Sequence, residues 1–206
     1  MAGIFTKGID VSHWQGNIKW DKVAAAGVHF ALLKASEAYT FKDSKFARNW
    51  KGCHDNGIRC GAYHFFRPNK DGVRQAENLL RQLDAVGYGK KEDLIPTIDC
   101  EDYDGSGKAK YRQQLQDCLD KVKSETGVKP IIYTQQSFWK KVSNPDFSSY
   151  PLWVVDISKD PPRLPSHWQD YVIWQYSHTG KVSGVSGNCD VNRFAGAPGD
   201  LDDIGA

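Results

Sequence analysis

A glycine recurs at the same place in four successive segments of this chain: Ala25-Ala26-Gly27-Val28, Asp55-Asn56-Gly57-Ile58, Ala85-Val86-Gly87-Tyr88 and Glu125-Thr126-Gly127-Val128. Each closes a stretch with helical apolar spacing and stands where a helix ends in a left-handed residue. Three lead directly into β-branched or aromatic runs, Val28–Leu33, Ile58–Phe66 and Lys129–Tyr133, and the third glycine leads to Leu94–Asp99 after a longer gap. The intervals are 30, 30 and 40 residues, the length of a strand plus its returning helix. Parallel strand–helix units are therefore the expected building blocks.

Between these points the spacing predicts helices over 18–26, 44–56, 71–86 and 108–126, with a shorter one over 137–142. Val73, Ala76, Leu79, Leu80 and Leu83 form the clearest apolar stripe. Beyond residue 142 the pattern changes. Pro151–Val155 and Tyr171–Tyr176 read as strands, but Pro161, Pro162 and Pro165 exclude a long helix between them. Ser177–Asn188 is rich in Gly and Ser, and a short last strand is expected over Cys189–Asn192. With Gly8–Ser12 as the first, eight strands are expected, five followed by helices and three not. That is an α/β chain with a barrel-sized strand count. An open doubly wound sheet is the alternative, although no G-x-G-x-x-G follows any strand. Residues 1–206 are read as one domain with its core over 8–194 and a loose tail over 195–206.

Composition narrows the partners. A chain of 206 residues that is 40% hydrophobic with a net charge of +2 is not expected to be disordered or to bind nucleic acid. No run approaches the ~20 apolar residues of a membrane helix, so no membrane insertion is expected. Met1–Gly8 shows no basic segment followed by a long apolar stretch, so no leader is expected. Five cysteines, Cys53, Cys60, Cys100, Cys118 and Cys189, are irregularly spaced without a C-x-x-C pair, and the histidines do not cluster with them. Free buried thiols are expected, a Cys53–Cys60 bridge being the alternative, and a structural zinc site is not. Reduced thiols without a leader point to a cytosol. His13, His29, His54, His64, His167 and His178 lack ligand spacing, so neither metal nor cofactor is expected.

In a parallel barrel, functional side chains gather at the C-terminal ends of strands. Those ends hold Asp10 through Gly16, Lys34 through Glu37, Tyr63 through Phe66, Asp99 through Glu101, Tyr133, Trp153, Trp174 through Tyr176, and Asp190. Carboxylates run glycosidic chemistry and aromatic faces cover sugar rings, so this rim suits a carbohydrate. Asp99-Cys100-Glu101 is the centre. Strand alternation puts both acids on one face and turns Cys100 towards the helices. Two acids so close favour one holding its proton, which raises a carboxyl into the general-acid range. Acid-x-acid triplets are common by chance in a chain with 25 acidic residues. This one follows the apolar run Leu94–Ile98, which should be buried, and that position separates it from a solvated pair.

Ile9-Asp10-Val11-Ser12 with Trp14-Gln15-Gly16, Leu33-Lys34-Ala35-Ser36-Glu37, Gly61-Ala62-Tyr63-His64-Phe65, Asp99-x-Glu101, Ile131-Ile132-Tyr133-Thr134 and Trp174-Gln175-Tyr176-Ser177 occur in that order. Together they resemble the glycoside hydrolase family 25 lysozymes of phage endolysins, bacteria and fungi, over Gly8 to Phe194. The resemblance implies a modified TIM-like barrel, five β/α units followed by three strands with little helix between them. It also implies hydrolysis, with retention, of the β-1,4 bond between N-acetylmuramic acid and N-acetylglucosamine. Glu101 matches the family's general acid/base. Asp99 matches the acid that supports the substrate's acetamido group as nucleophile, an enzyme carboxylate being the other mechanism argued for the family. Asp10 and Asp190 match flanking acids, Tyr63, Tyr133 and Gln175 the lining, with Lys34 and Trp153 beside them. Cys100 departs from the aliphatic residue usual there.

The resemblance makes bacterial peptidoglycan glycan strands the expected partner, and a monomer is expected. Two settings suit such an enzyme, a host cytoplasm before release to the cell wall, as for an endolysin, and secretion. A chitinase-like hydrolase also ends a strand in Asp-x-Glu, but its longer motif wants acids where Thr97 and Leu94 stand. A non-catalytic glycan-binding barrel is the other competitor, and the full set Asp10, Asp99, Glu101 and Asp190 speaks against it.

Overall fold

The computed structural model describes residues 4–206; Met1 to Gly3, part of the segment read above for a leader, lie outside the described residues. The strands are β1 (Thr6–Val11), β2 (Phe30–Glu37), β3 (Phe41–Lys42), β4 (Arg59–Phe65), β5 (Thr97–Asp99), β6 (Ile131–Thr134), β7 (Leu152–Val155), β8 (Ile173–Gly180) and β9 (Cys189–Phe194). The helices are α1 (Trp20–Ala25), α2 (Phe46–Asp55), α3 (Gly72–Val86), α4 (Lys108–Thr126) and α5 (Gln136–Lys141). Gly27, Gly57, Gly87 and Gly127 all have φ between 68° and 76°. The left-handed stop that punctuates the sequence is thus present at every helix-to-strand junction where it was expected.

β1, β2, β4, β5, β6, β7 and β8 run parallel in that order, and β9 closes the barrel by pairing antiparallel with both β8 and β1. β3 is a short flap hydrogen-bonded to the end of β2. Side-chain alternation divides the apolar residues into two layers. Phe30, Leu32, Ile131, Trp153, Ile173 and Phe194 point into the barrel. Ala31, Leu33, Ile98, Ile132, Val154 and Trp174 point out against the helices, where Trp20 and Trp50 are also buried. Gly8 faces inward where a Cβ would stand 2.2 Å from the Phe30 ring. Among the described residues no helix is long and apolar enough to cross a membrane.

Several expectations are corrected. The strand expected from Leu94 begins only at Thr97, because Pro96 has no N–H to give the ladder. Val73 is 40% exposed, so the buried stripe of α3 begins at Ala76. The last segment is not loose. A 3₁₀ turn over Pro198–Ile204 drives Leu201 (1% exposed) and Ile204 (3%) into the interior layer at the barrel's floor. Backbone bonds fix it there, Ile95 N donating to Ile204 O at 2.9 Å and Ala206 N to Asp93 O at 2.8 Å, and Arg59 pairs with Asp202. Truncating this plug by Leu201→Ala is expected to cost ~2–5 kcal/mol of stability. Urea unfolding will show it as a lower midpoint at constant slope, and an unchanged midpoint would mean that the floor does not need the plug.

All five cysteines are free and buried, so the Cys53–Cys60 bridge is not formed.

Candidate active site

The mouth of the barrel lies at the C-terminal ends of the parallel strands. Asp190 reaches it from the opposite direction. Because β9 is antiparallel, its start rather than its end is at this rim, and Asp190 stands directly across from Asp10. The cleft here encloses about 240 Å³ and is lined by Asp10, Asp99, Glu101 and Asp190 with Lys34, Tyr63, Tyr133 and Trp153. A larger hollow of about 540 Å³ lies at the other end, between the starts of β7 and β8. Its single carboxylate, Asp170, gives it no acid pair, so the chemistry belongs to the smaller cleft.

Beneath the cleft runs a chain of hydrogen bonds. The Tyr133 hydroxyl donates to Gln175 Oε1 at 3.0 Å, and Gln175 Nε2 donates to Asp10 Oδ2 at 2.7 Å. From the other side Trp153 Nε1 donates to Asn192 Oδ1 at 2.8 Å, and Asn192 Nδ2 donates to the same Asp10 oxygen at 2.8 Å. Both amides are therefore oriented by their partners, and both hold Asp10 in place. Gln175 is only 2% exposed and lies behind the cleft wall, so it positions Asp10 rather than lining the cleft as expected. Asn192 was missed, although it follows Asp190 by two positions in a strand and alternation assigns it the same face.

Burial raises all four carboxyls. For Asp10 the next cause is its neighbour Asp190, and the amides of Asn192 and Gln175 act in the opposite direction. Asp99 is 5% exposed with Oδ1 unpartnered. Burial lifts it well above the usual carboxylate range, and Glu101 adds to this while Lys34 opposes it. Glu101 reaches solvent at the rim, yet loss of hydration still raises its carboxyl, with His178 opposing and Asp190 reinforcing. His178 arrives on a part of β8 that the sequence does not announce: the strand continues through the Gly/Ser-rich segment to Gly180. Asp190 is raised by burial and eased by His178. Cys100 faces the helices, buried beside Tyr111 and Cys118.

Trp153 forms the aromatic wall, its ring edge-on to Tyr133 at 4.4 Å and to Tyr63 at 6.3 Å. Trp14, which the sequence reading left out of the site, lines the same cleft and is 81% exposed. A tight turn presents it: Ser12 N donates to Gln15 Oε1 at 2.9 Å and Trp14 N to Ser12 Oγ at 3.3 Å. Lys34 is both a cleft residue and an ion-paired one. A bulge between Lys34 and Ser36 turns Lys34 and Glu37 to the same side, 2.8 Å apart. Arg67 holds the other Glu37 oxygen at 2.7 Å and also pairs with Asp102.

A deep acidic cleft with aromatic walls can protonate and cleave a glycosidic bond. The family model for glycosyl hydrolases family 25 matches residues 9–185. The chain belongs to glycosyl hydrolases family 25. Among family 25 relatives, lysozyme M1 of Streptomyces globisporus is 36% identical over 202 residues, covering 93% of this chain and 68% of that protein. An N,O-diacetylmuramidase of Chalaropsis is 25% identical over 205 residues, covering 89% and 95%. The crystal structure of a lysozyme from Streptomyces coelicolor superimposes with a TM-score of 0.88 at 34% identity, covering 100% of this chain and 98% of that one. A family 25 lysozyme from Aspergillus fumigatus gives 0.89 at 26% identity, covering 98% and 100%. The modified barrel is the fold of this family 25 enzyme, which is a glycoside hydrolase.

Proposed function

We propose that this enzyme is a muramidase that cleaves the β-1,4 bond between N-acetylmuramic acid and N-acetylglucosamine in peptidoglycan, with retention of configuration. The observation that carries the reading is the pairing of a buried Asp99 with a rim-exposed Glu101 in one acidic, aromatic-walled cleft. Glu101 protonates the leaving oxygen. Attack on the anomeric carbon comes from the substrate's own acetamido oxygen, beside which Asp99 stands on the same face of the strand end as Glu101. Asp99 then orients that group and offsets the positive charge that develops on it. Water enters from the face the leaving group vacates, with Glu101 now acting as base, so the configuration is kept. Asp10, clamped by two amides, and Asp190 across from it set the field in which both acids titrate. Trp153 and Trp14 offer faces to the sugar rings. Its similarity to lysozyme M1 of Streptomyces globisporus and to the N,O-diacetylmuramidase of Chalaropsis supports this substrate. Release from a host cytoplasm or secretion would each bring the enzyme to the wall.

Digestion of purified peptidoglycan, borohydride reduction and mass spectrometry test the bond. Muramicitol ends are expected. Glucosaminitol ends would mean the other glycosidic bond, and anhydro-muramic ends a reaction that uses no water. NMR at early times should show β-product first, and initial α-product would overturn retention. No release of reducing ends would leave a glycan-binding barrel.

A further inference from the structure

Away from the cleft, the fold gathers side chains that their spacing does not connect, correcting the expectation that no histidine clusters with the cysteines. His54 lies in the last turn of α2, Cys60 is the second residue of β4, and Asp93 is bridged to Cys60 just before β5. His54 Nε2, a carboxylate oxygen of Asp93 and Cys60 Sγ all lie within 4.8 Å of one another. Asp93 is held firmly: its Oδ2 accepts from Gly89 N at 2.8 Å and Lys90 N at 2.9 Å, and Leu94 N donates to Cys60 O at 2.9 Å. That leaves Oδ1 facing His54 in the cluster.

The buried polar atoms here are what point to a ligand. Asp93 Oδ1 and His54 Nε2 face one another at 2.9 Å, and the Asp93 side chain is fully buried. Trp50 Nε1 and Tyr88 OH are buried without partners, and the Trp50 ring lies 5.5 Å from His54 and 6.3 Å from Tyr88. Two buried polar atoms without partners thus stand beside the His54–Asp93 pair. Buried polar groups are nearly always satisfied, so such a concentration asks for a bound species.

We propose that His54, Cys60 and Asp93 bind one zinc ion as a structural site on the outside of the barrel, with a water in the fourth position. One imidazole, one thiolate and one carboxylate are ligands that zinc accepts together at ~2.0–2.3 Å, which places donors well inside the observed 4.8 Å. Calcium and magnesium would want oxygens instead. Binding replaces the S–H bond of Cys60 with a sulfur–zinc bond and releases that proton to solvent, while His54 binds as the neutral ring. The ion would tie α2 to the strand pair β4–β5 at the end of the barrel remote from Glu101, so it should affect unfolding and not turnover.

Reduced, chelator-stripped full-length protein titrated with cobalt(II) should bind one equivalent and show a sulfur-to-cobalt charge-transfer band that zinc abolishes. Zinc should raise the melting temperature, whereas stripping should leave the rate on peptidoglycan unchanged. Cys60→Ser should lose the band, and His54→Gln, at a partly exposed position that tolerates change, should weaken binding by at least ~10-fold. Absence of stoichiometric binding and of the band in the wild-type protein would overturn the proposal. So would a band that persists unchanged in both variants.

Discussion

Glu101→Gln will fold like the parent and lose ~10²–10⁴-fold in turnover, the usual contribution of a positioned general acid. The side chain reaches solvent at the mouth, so an amide of the same shape disturbs no packing. What is lost is the proton. Partial burial and Asp190 hold the Glu101 carboxyl above its ordinary value, and His178 limits the rise. The wild-type rate should therefore fall on the alkaline side as Glu101 ionises, and the residual rate of the variant should lack that limb. Reducing-end release across a pH series, with circular dichroism to verify the fold, measures both. Full activity in a folded Glu101→Gln protein would remove Glu101 from the reaction.

Asp99→Asn is expected to separate activity from stability. Removing a preorganised carboxyl at the reacting centre should cost ~10²–10³-fold in rate. The stability effect has the other sign. Burial raises the folded-state pKa of Asp99 well above the ordinary 3.8. Below that ordinary value the carboxyl is protonated in folded and unfolded chains alike, and its contribution is fully present. As the pH rises, the unfolded chain ionises freely while the folded one must retain the proton or bury a charge. Stability therefore drains away from about the ordinary value up to the raised one. An amide has no such loss, so the variant should melt above the wild type at neutral pH, with the gap closing as the pH falls towards 3.8. Melting curves across the acid range test this, and a constant gap would mean that burial of Asp99 carries no cost.

The barrel was legible in the sequence because its punctuation is local. A glycine that must take positive φ and an apolar stripe on a helix are set by a few neighbouring residues, and both survive into the fold. What escaped depends on partners far along the chain. Gln175 reads as a strand-end polar residue, and only its neighbours Asp10 and Tyr133 make it a clamp behind the wall. The direction of β9 has no local mark, yet it decides that Asp190 enters from the start of a strand. Leu201 and Ile204 were passed over because two apolar residues in a polar tail give no periodicity until a barrel floor exists to receive them. Asn192 was within reach by alternation alone. His178 was not, since a Gly/Ser-rich segment gives little reason to expect a strand.

The antiparallel closure between β1 and β9 bears on when this enzyme can first act. Asn192 and Asp10 share a hydrogen bond across 182 residues of chain, and Asp190 faces Asp10 over the same seam. A nascent chain still lacking β9 has Asp10 without one of its two clamps, no Asp190, and an open edge along β1 and β8. Translation proceeds at ~5–20 residues per second, and the early strand–helix units can begin to form while it does. The acidic cleft cannot. Its assembly waits for the barrel's closing strand to leave the ribosome, so the early strand–helix units form before any catalytic centre exists.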